Sequence, residues 1–342
     1  MNALLDLYPA LDNSWFITCQ SKTLKKQPLR RVILGVPITL FRNGAGKAVA
    51  LEDRCPHRNA PLSEGRVIKG QIQCPYHGWQ FDGEGQCQKI PGLLGERPLM
   101  SYCVFSFPIL EQAGFIWVYL SSSQQVPVNT PNDLPLFGDG RYVSFIWEVS
   151  IEASLLNATE NLLDASHTHF VHAGLIRADQ YRSPMTAIVQ GTPGQVEVKY
   201  QDESQQRGLI ASLFDRQRSH SYGRFLLPTV AQLEYRDTNS TRMLITAFFV
   251  PISEAKTHAY VVTTYPKLLL PSWLSHSIIK PLFWIALKQD LIMLKLQTKN
   301  IQSFGKEDFH STELDLIRAT IRQMLLAQTD ITQQQSTVQI NL

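Results

Sequence analysis

The chain has 342 residues, 44% of them hydrophobic and 18% charged, with a formal net charge of +3. That length buries a large core and allows about two domains. The small charge, with no basic stripe interleaved with aromatics, excludes a nucleic-acid binder. The apolar run 268–296 is too broken by Pro271, Lys280, Pro281, Lys288 and Asp290 for the roughly twenty residues that span a bilayer.

Met1-Asn-Ala-Leu-Leu-Asp6-Leu has no basic region ahead of an apolar one, so it does not read as a signal peptide. Five cysteines, an odd number, speak against a disulfide framework. The expectation is a cytoplasmic protein whose reduced thiols are free to bind metal. Residues 31–42 predict strand, turn, strand, and Asn43-Gly44-Ala45-Gly46 predicts a hairpin before 48–52. Short strands punctuated by Gly and Pro continue to about Leu120, which makes a small all-β unit. A linker at 121–135 leads to a strand at 142–151, a helical stretch, strands at 187–200, 223–235, 243–250 and 259–265, and closing helices at 273–303 and 312–327. The whole reads as α+β: an N-terminal all-β domain (1–122), then an antiparallel sheet wrapping long helices (123–342), a helix-grip-like arrangement.

Two stretches of the first domain carry chemistry. Cys55-Pro-His57-Arg58 and Cys74-Pro-Tyr76-His77-Gly78-Trp79 each pair one thiol with one imidazole in a tight loop. Cys2His2 is also a zinc set, but zinc fingers separate a Cys-Cys pair from a His-His pair. One of each per loop fits a Rieske [2Fe–2S] centre, in which two cysteines hold one iron and two histidines the other. Cys19, Cys87 and Cys103 have no such neighbours and read as small buried hydrophobes.

The second domain carries Asn161-Leu-Leu-Asp164-Ala-Ser-His167-Thr-His169-Phe-Val-His172, one carboxylate and three imidazoles in twelve residues. On a regular helix, Asp164 and His167, or His169 and His172, share a face. His167 and His172 lie about 140° apart and meet at one metal only if the helix loosens or ends between them. Spacing alone leaves these pairings open.

The two cysteine–histidine loops, with Asn59-Ala-Pro61-Leu-Ser63-Glu-Gly65 after the first and Gln80-Phe81-Asp-Gly83 after the second, resemble the Rieske domain of the Rieske non-haem iron oxygenases. Asn161-x-x-Asp164-x-x-His167-x-x-x-x-His172 resembles the catalytic signature of the same family. The resemblance implies that Cys55 and Cys74 bind one cluster iron and His57 and His77 the other. It implies that His167 and His172 bind mononuclear Fe(II), that Asp164 bridges a Rieske histidine to His167, and that Asn161 lies near the iron. His169 matches no ligand position. The third ligand of a facial triad is a carboxylate, and Asp290, an acid in an apolar helix with Gln297 seven residues on, matches it. Glu307, Asp308 and Asp315 lie in more polar surroundings. Two acids the family often shows nearby are replaced here by Gln289 and Lys295.

The resemblance further implies a terminal oxygenase. A ferredoxin or flavin reductase supplies NAD(P)H-derived electrons, O2 is activated, and a small, hydrophobic or aromatic substrate is hydroxylated or oxidatively demethylated. The expected assembly is a head-to-tail homotrimer. A weaker similarity, Pro271-Ser-Trp273-Leu-Ser-His276, is to the pheophorbide and chlorophyllide oxygenase branch, and allows a bulky hydrophobic substrate at a membrane surface. An electron carrier or binding protein without oxygenation, and a structural zinc protein, are the rival classes. Lys22, Lys25, Lys26, Arg30 and Arg31 form a basic cluster that an acidic ferredoxin would fit, although a solvated face is the better account of it.

Overall fold

The computed structural model describes residues 3–94, 101–123, 126–177, 182–201, 208–210, 219–267, 271–328 and 335–342, with the side chains of 272 and 273 left out. The chain divides into two compact units, 12–133 and 134–342, and residues 4–11 pack with the second. The sequence had placed the division earlier, at 122/123.

The first unit is all β. Its strands are β1 (Ser14–Gln20), β2 (Leu29–Ile33), β3 (Val36–Arg42), β4 (Ala48–Glu52), β5 (Arg66–Ile68), β6 (Gln71–Gln73), β7 (Gln80–Phe81), β8 (Cys87–Lys89), β9 (Ile109–Gln112) and β10 (Phe115–Leu120). They form antiparallel sheets in the orders β1-β10-β9, β2-β3-β4 and β5-β6-β7-β8. Every residue of β10, Phe-Ile-Trp-Val-Tyr-Leu, is buried, as befits a central strand. Three hairpins turn on pairs with positive φ at both positions, Leu34-Gly35, Lys69-Gly70 and Ala113-Gly114, the twist that tight hairpins favour. At Gly70 a Cβ would lie 2.0 Å from the Gly44 nitrogen, so only glycine fits. Cys19 and Cys87 are buried as expected; Cys103 is exposed, which corrects the reading of it as core. It forms an isolated bridge with Gln86, outside the named strands, and is absent from the buried core.

The second unit is one antiparallel sheet in the order β11-β17-β16-β15-β14-β13-β12-β18. These are β11 (Tyr142–Ile151), β12 (Pro184–Thr192), β13 (Gln195–Gln201), β14 (His220–Leu226), β15 (Val230–Arg236), β16 (Thr241–Ser253), β17 (Lys256–Pro266) and β18 (Gln335–Asn341). The expected strands at 187–200 and 223–235 are each a hairpin, broken at Gly194 with φ 82° and at Leu227-Pro228. A short helix α1 (Ala3–Leu7) opens the chain; α2 (Leu155–Leu163), α3 (Ser272–Phe304) and α4 (Arg318–Leu325) belong to this unit. The α3 helix tolerates Pro281 and stops at Gly305, whose φ of 75° supplies a left-handed cap. Its inner face buries Ile279, Phe283 and Ala286 against Phe145, Met243 and Tyr265 of the sheet. Among the described residues no helix is long and apolar enough to cross a membrane.

Candidate metal centres

In the first unit the two cysteine loops are built alike. The Cys55 N–H donates to the Ala60 carbonyl at 2.9 Å and Asn59 N–H to the Cys55 carbonyl at 2.9 Å. The Cys74 N–H donates to Trp79 at 2.8 Å and Gly78 N–H to Cys74 at 3.1 Å. The fourth residue after each cysteine is left-handed: Asn59 at φ 58° and Gly78 at φ 73°. Asparagine and glycine are the residues that adopt this conformation at least cost. Each loop thereby closes on itself with its histidine between the two ends. Cys55 and Cys74 sink into a core of Phe41, Leu51, Leu62, Ile72 and Phe81, while the His57 and His77 rings meet edge to face at 4.5 Å on the outside. Trp79 stacks on His57 at 4.8 Å and 6°, and Tyr76 covers His77 at 3.9 Å.

These four side chains fit a two-iron cluster on their own chemistry. Burial pushes the Cys55 thiol up to about 11, and the neighbouring Cys74 adds to the rise. Cys55 therefore stays a neutral thiol in the metal-free fold, and a cationic metal would supply the charge that stabilises its thiolate. Among the described residues, His57 Nδ1 is buried without a hydrogen-bond partner. Desolvation, then His77 and Arg58, lower its pKa, so it stands as a neutral nitrogen with an unused lone pair.

In the second unit, Ser154 caps the N-terminus of α2 by accepting from Asn157 N–H at 3.2 Å. Arg318 pins the helix from outside, bonding Glu160 and, at 3.0 Å, Asn157 Oδ1. The helix ends at Leu163 because Asp164 turns extended, with ψ 122°. The Asp164 carboxylate then caps the next turn, Ser166–His169, accepting from Ser166 N–H at 2.7 Å and His167 N–H at 3.2 Å. Helix α2 thus stops before both histidines, and the short turn Ser166–His169 ends between them, so the two are not held 140° apart on one regular helix. His167 and His172 rings lie 5.2 Å apart.

From the opposite side α3 delivers Asp290. Its Oδ1 stands 3.4 Å from His167 Nε2 and 3.1 Å from His172 Nε2. One ligand atom from each of the three residues lies within 4.8 Å of the others, a set of two imidazoles and one carboxylate suited to ferrous iron with open positions. Asn161 Nδ2 reaches Asp290 Oδ1 at 3.4 Å. His169 is buried but outside this group. Sequence reasoning treated Gln289 only as a departure from a pattern; its Oε1 lies 2.8 Å from His172 Nδ1. A glutamine beside an acid on a helix carries no signal of that contact until the helix is docked.

Charges follow the geometry. Burial works against ionised Asp164 and Asp290, yet hydrogen bonds from His167, and for Asp290 from His172, hold both below the usual carboxylate range. Burial also opposes a charged His167, but Asp164 and Asp290 outweigh it and raise the imidazole from 6.5 to about 9. In the metal-free fold a proton therefore sits on His167 at pH 7. The stability this contributes is fully present below pH 6.5 and is lost as pH rises through about 9. Metal must displace that proton. Uptake of Co(II) by iron-depleted protein should tighten about tenfold per pH unit from 7 and level off near 9. A pH-independent titration over that range contradicts the assignment.

Beside the three residues lies an apolar cavity of about 150 Å³, walled by Trp147, Tyr200, Leu233, Ile245, Phe283 and Leu287.

The family model for the Rieske [2Fe-2S] domain matches residues 14–103, and that for the vanillate O-demethylase oxygenase C-terminal domain matches 151–328. The second covers more than half the chain, which belongs to the Rieske non-haem iron oxygenases, a family whose cofactors are a Rieske cluster and a mononuclear iron. Dicamba O-demethylase, oxygenase component, of Stenotrophomonas maltophilia is 36% identical over 172 residues, 49% of this chain and 50% of the relative. Chlorophyllide a oxygenase of Chlamydomonas reinhardtii is 35% identical over 175 residues, 50% of this chain and 26% of the relative. The chain thus spans half or less of the length of these relatives. Dicamba monooxygenase bound to 3,6-dichlorosalicylic acid superposes with a TM-score of 0.76 at 23% identity, covering 94% of this chain and 99% of that one. At that identity the likeness establishes the fold.

Proposed function

We propose that this chain is the terminal oxygenase of a multicomponent system and hydroxylates or oxidatively demethylates a small, hydrophobic or aromatic compound. The observation that carries this reading is the convergence of His167, His172 and Asp290 beside an apolar cavity. Cys55, His57, Cys74 and His77 hold the cluster, with the first unit's Rieske domain closing at 122, and His167, His172 and Asp290 hold the mononuclear iron. When bound, the cluster supplies single electrons and the ferrous ion supplies oxygen activation. The residues do the rest. Asp164 fixes the His167 ring through Nδ1 at 3.3 Å, Asn161 steadies Asp290, and the cavity wall excludes water and seats the substrate.

An apolar cavity of about 150 Å³ accepts a guest the size of benzene, which supports a single-ring substrate over a bulky pigment. Among the relatives, the demethylase named for dicamba, a single-ring compound, fits a cavity of this size better than the oxygenase named for chlorophyllide a. Supplied with a ferredoxin, a reductase, NADH and a panel of aromatic methyl ethers, the enzyme should place 18O from labelled O2 in the product or in the released one-carbon unit. Turnover that consumes no O2 rejects the reading; formaldehyde must be trapped as it forms, because its oxygen exchanges with water.

A cytoplasmic location suits the reduced, buried Cys55 and Cys74. Asp164 is proposed to join His167 to a Rieske histidine of a neighbouring copy in a closed, head-to-tail trimer. The mass in solution should be close to three chains; an active monomer would remove the cross-copy role.

A further inference from the structure

We propose that Gln289 is a positioning residue of the mononuclear centre, which fixes His172 in the tautomer that leaves its Nε2 free for metal. The inference rests on the metal reading above and assigns a role to a residue outside the ligand set.

His172 is 2% exposed, so water does not compete for its ring. Its two nitrogens meet consecutive residues of α3: Nδ1 lies 2.8 Å from Gln289 Oε1, and Nε2 lies 3.1 Å from Asp290 Oδ1. An amide oxygen only accepts, so Nδ1 carries a proton toward Gln289. Nε2, which hydrogen-bonds Asp290 in the metal-free fold, points to the space shared with His167 and Asp290 and is the nitrogen a metal would take. With the amide reversed, an N–H would donate to Nδ1, and the ring would have to keep its proton on Nε2, against the metal. The carbonyl end of Gln289 therefore decides which nitrogen of the buried ring is open to a metal.

The two histidines of the centre are held by acceptors of different charge. Asp164, a carboxylate, faces His167 Nδ1 at 3.3 Å, and Gln289, a neutral amide, faces His172 Nδ1. Two carboxylates, Asp164 and Asp290, already bracket His167 and hold a proton on it. A third at 289 would place a further anion beside His172. A neutral acceptor orients the ring without that charge, and so the amide sets the tautomer.

The test uses the full chain with the cluster intact and the mononuclear iron removed by chelation. Co(II) is titrated in and read by its visible ligand-field bands, with cluster absorbance and thermal midpoint as folding controls. Wild type should take up one Co(II) per chain. Gln289→Leu and Gln289→Met, which keep bulk but lose the acceptor, should each bind about 10–100-fold more weakly. Gln289→Glu, which keeps an accepting oxygen at the same reach, should recover binding to within about tenfold of wild type. Should wild type take up no Co(II), the metal reading fails and this inference with it. Should wild type bind while both acceptor-less variants, correctly folded, bind within about twofold of it, the role of Gln289 alone is overturned.

Discussion

Asp164→Asn should leave both metal centres loaded yet slow the reoxidation of the reduced cluster by oxygen about 100-fold. Asparagine preserves the shape that turns the chain at the end of α2, and its carbonyl can still accept from Ser166 N–H, which the native Oδ1 does at 2.7 Å. The second oxygen is what the amide cannot replace. In the native chain it faces both the His167 backbone N–H at 3.2 Å and the ring Nδ1 at 3.3 Å. An –NH2 group there confronts two donors. The His167 ring loses its orienting acceptor, and its pKa falls from about 9 as one of its two anionic partners disappears. The sign of that change favours metal uptake at pH 7, so lost turnover would not be lost metal. Iron content and stopped-flow reoxidation of the cluster, measured together, check this. Near-native reoxidation would show that Asp164 only shapes the turn.

Asp290→Ala should do the reverse, emptying the mononuclear centre while sparing the cluster. The acid is the one group that both imidazoles face, at 3.4 Å and 3.1 Å. Removing it leaves two neutral nitrogens and Asn161 without the oxygen it donates to at 3.4 Å. Two imidazoles hold ferrous iron poorly where a facial triad holds it well. Iron should drop from about three to about two per chain, substrate oxidation should fall to background, and the cluster spectrum should not change. The cluster residues lie in the other unit, on loops closed by their own backbone bonds. Retention of the third iron would place the carboxylate ligand elsewhere.

Much of this was legible in the residues, for identifiable reasons. The cysteine–histidine loops are local: Cys55 to Ala60 and Cys74 to Trp79 close on themselves, so spacing alone encodes their shape. The angle between His167 and His172 required that no regular helix run through both, and the device that ends α2 first, a carboxylate that caps the following turn, sits in the same stretch. Long-range features were harder. Asp290 needed the family resemblance because 118 residues separate it from His172, and Gln289 was invisible for the same reason. Strand β18 escaped because only Ile340 in Gln-Ser-Thr-Val-Gln-Ile-Asn is buried. Its pairing with β12 is made by backbone, which leaves little pattern in side chains. The expected helix at 312–327 shortens to Arg318–Leu325, since Asp315 accepts from Thr312 N–H and folds the preceding residues into a turn.

The central claim, two metal centres of different kind on one chain, is tested most directly by metal and sulfide analysis of anaerobically purified protein, with electron spin resonance of the reduced sample. The prediction is about three irons and two acid-labile sulfides per chain, a Rieske-type resonance from the reduced cluster, and loss of one iron in Asp290→Ala. Zinc in place of iron, or two irons in both wild type and Asp290→Ala, would contradict it.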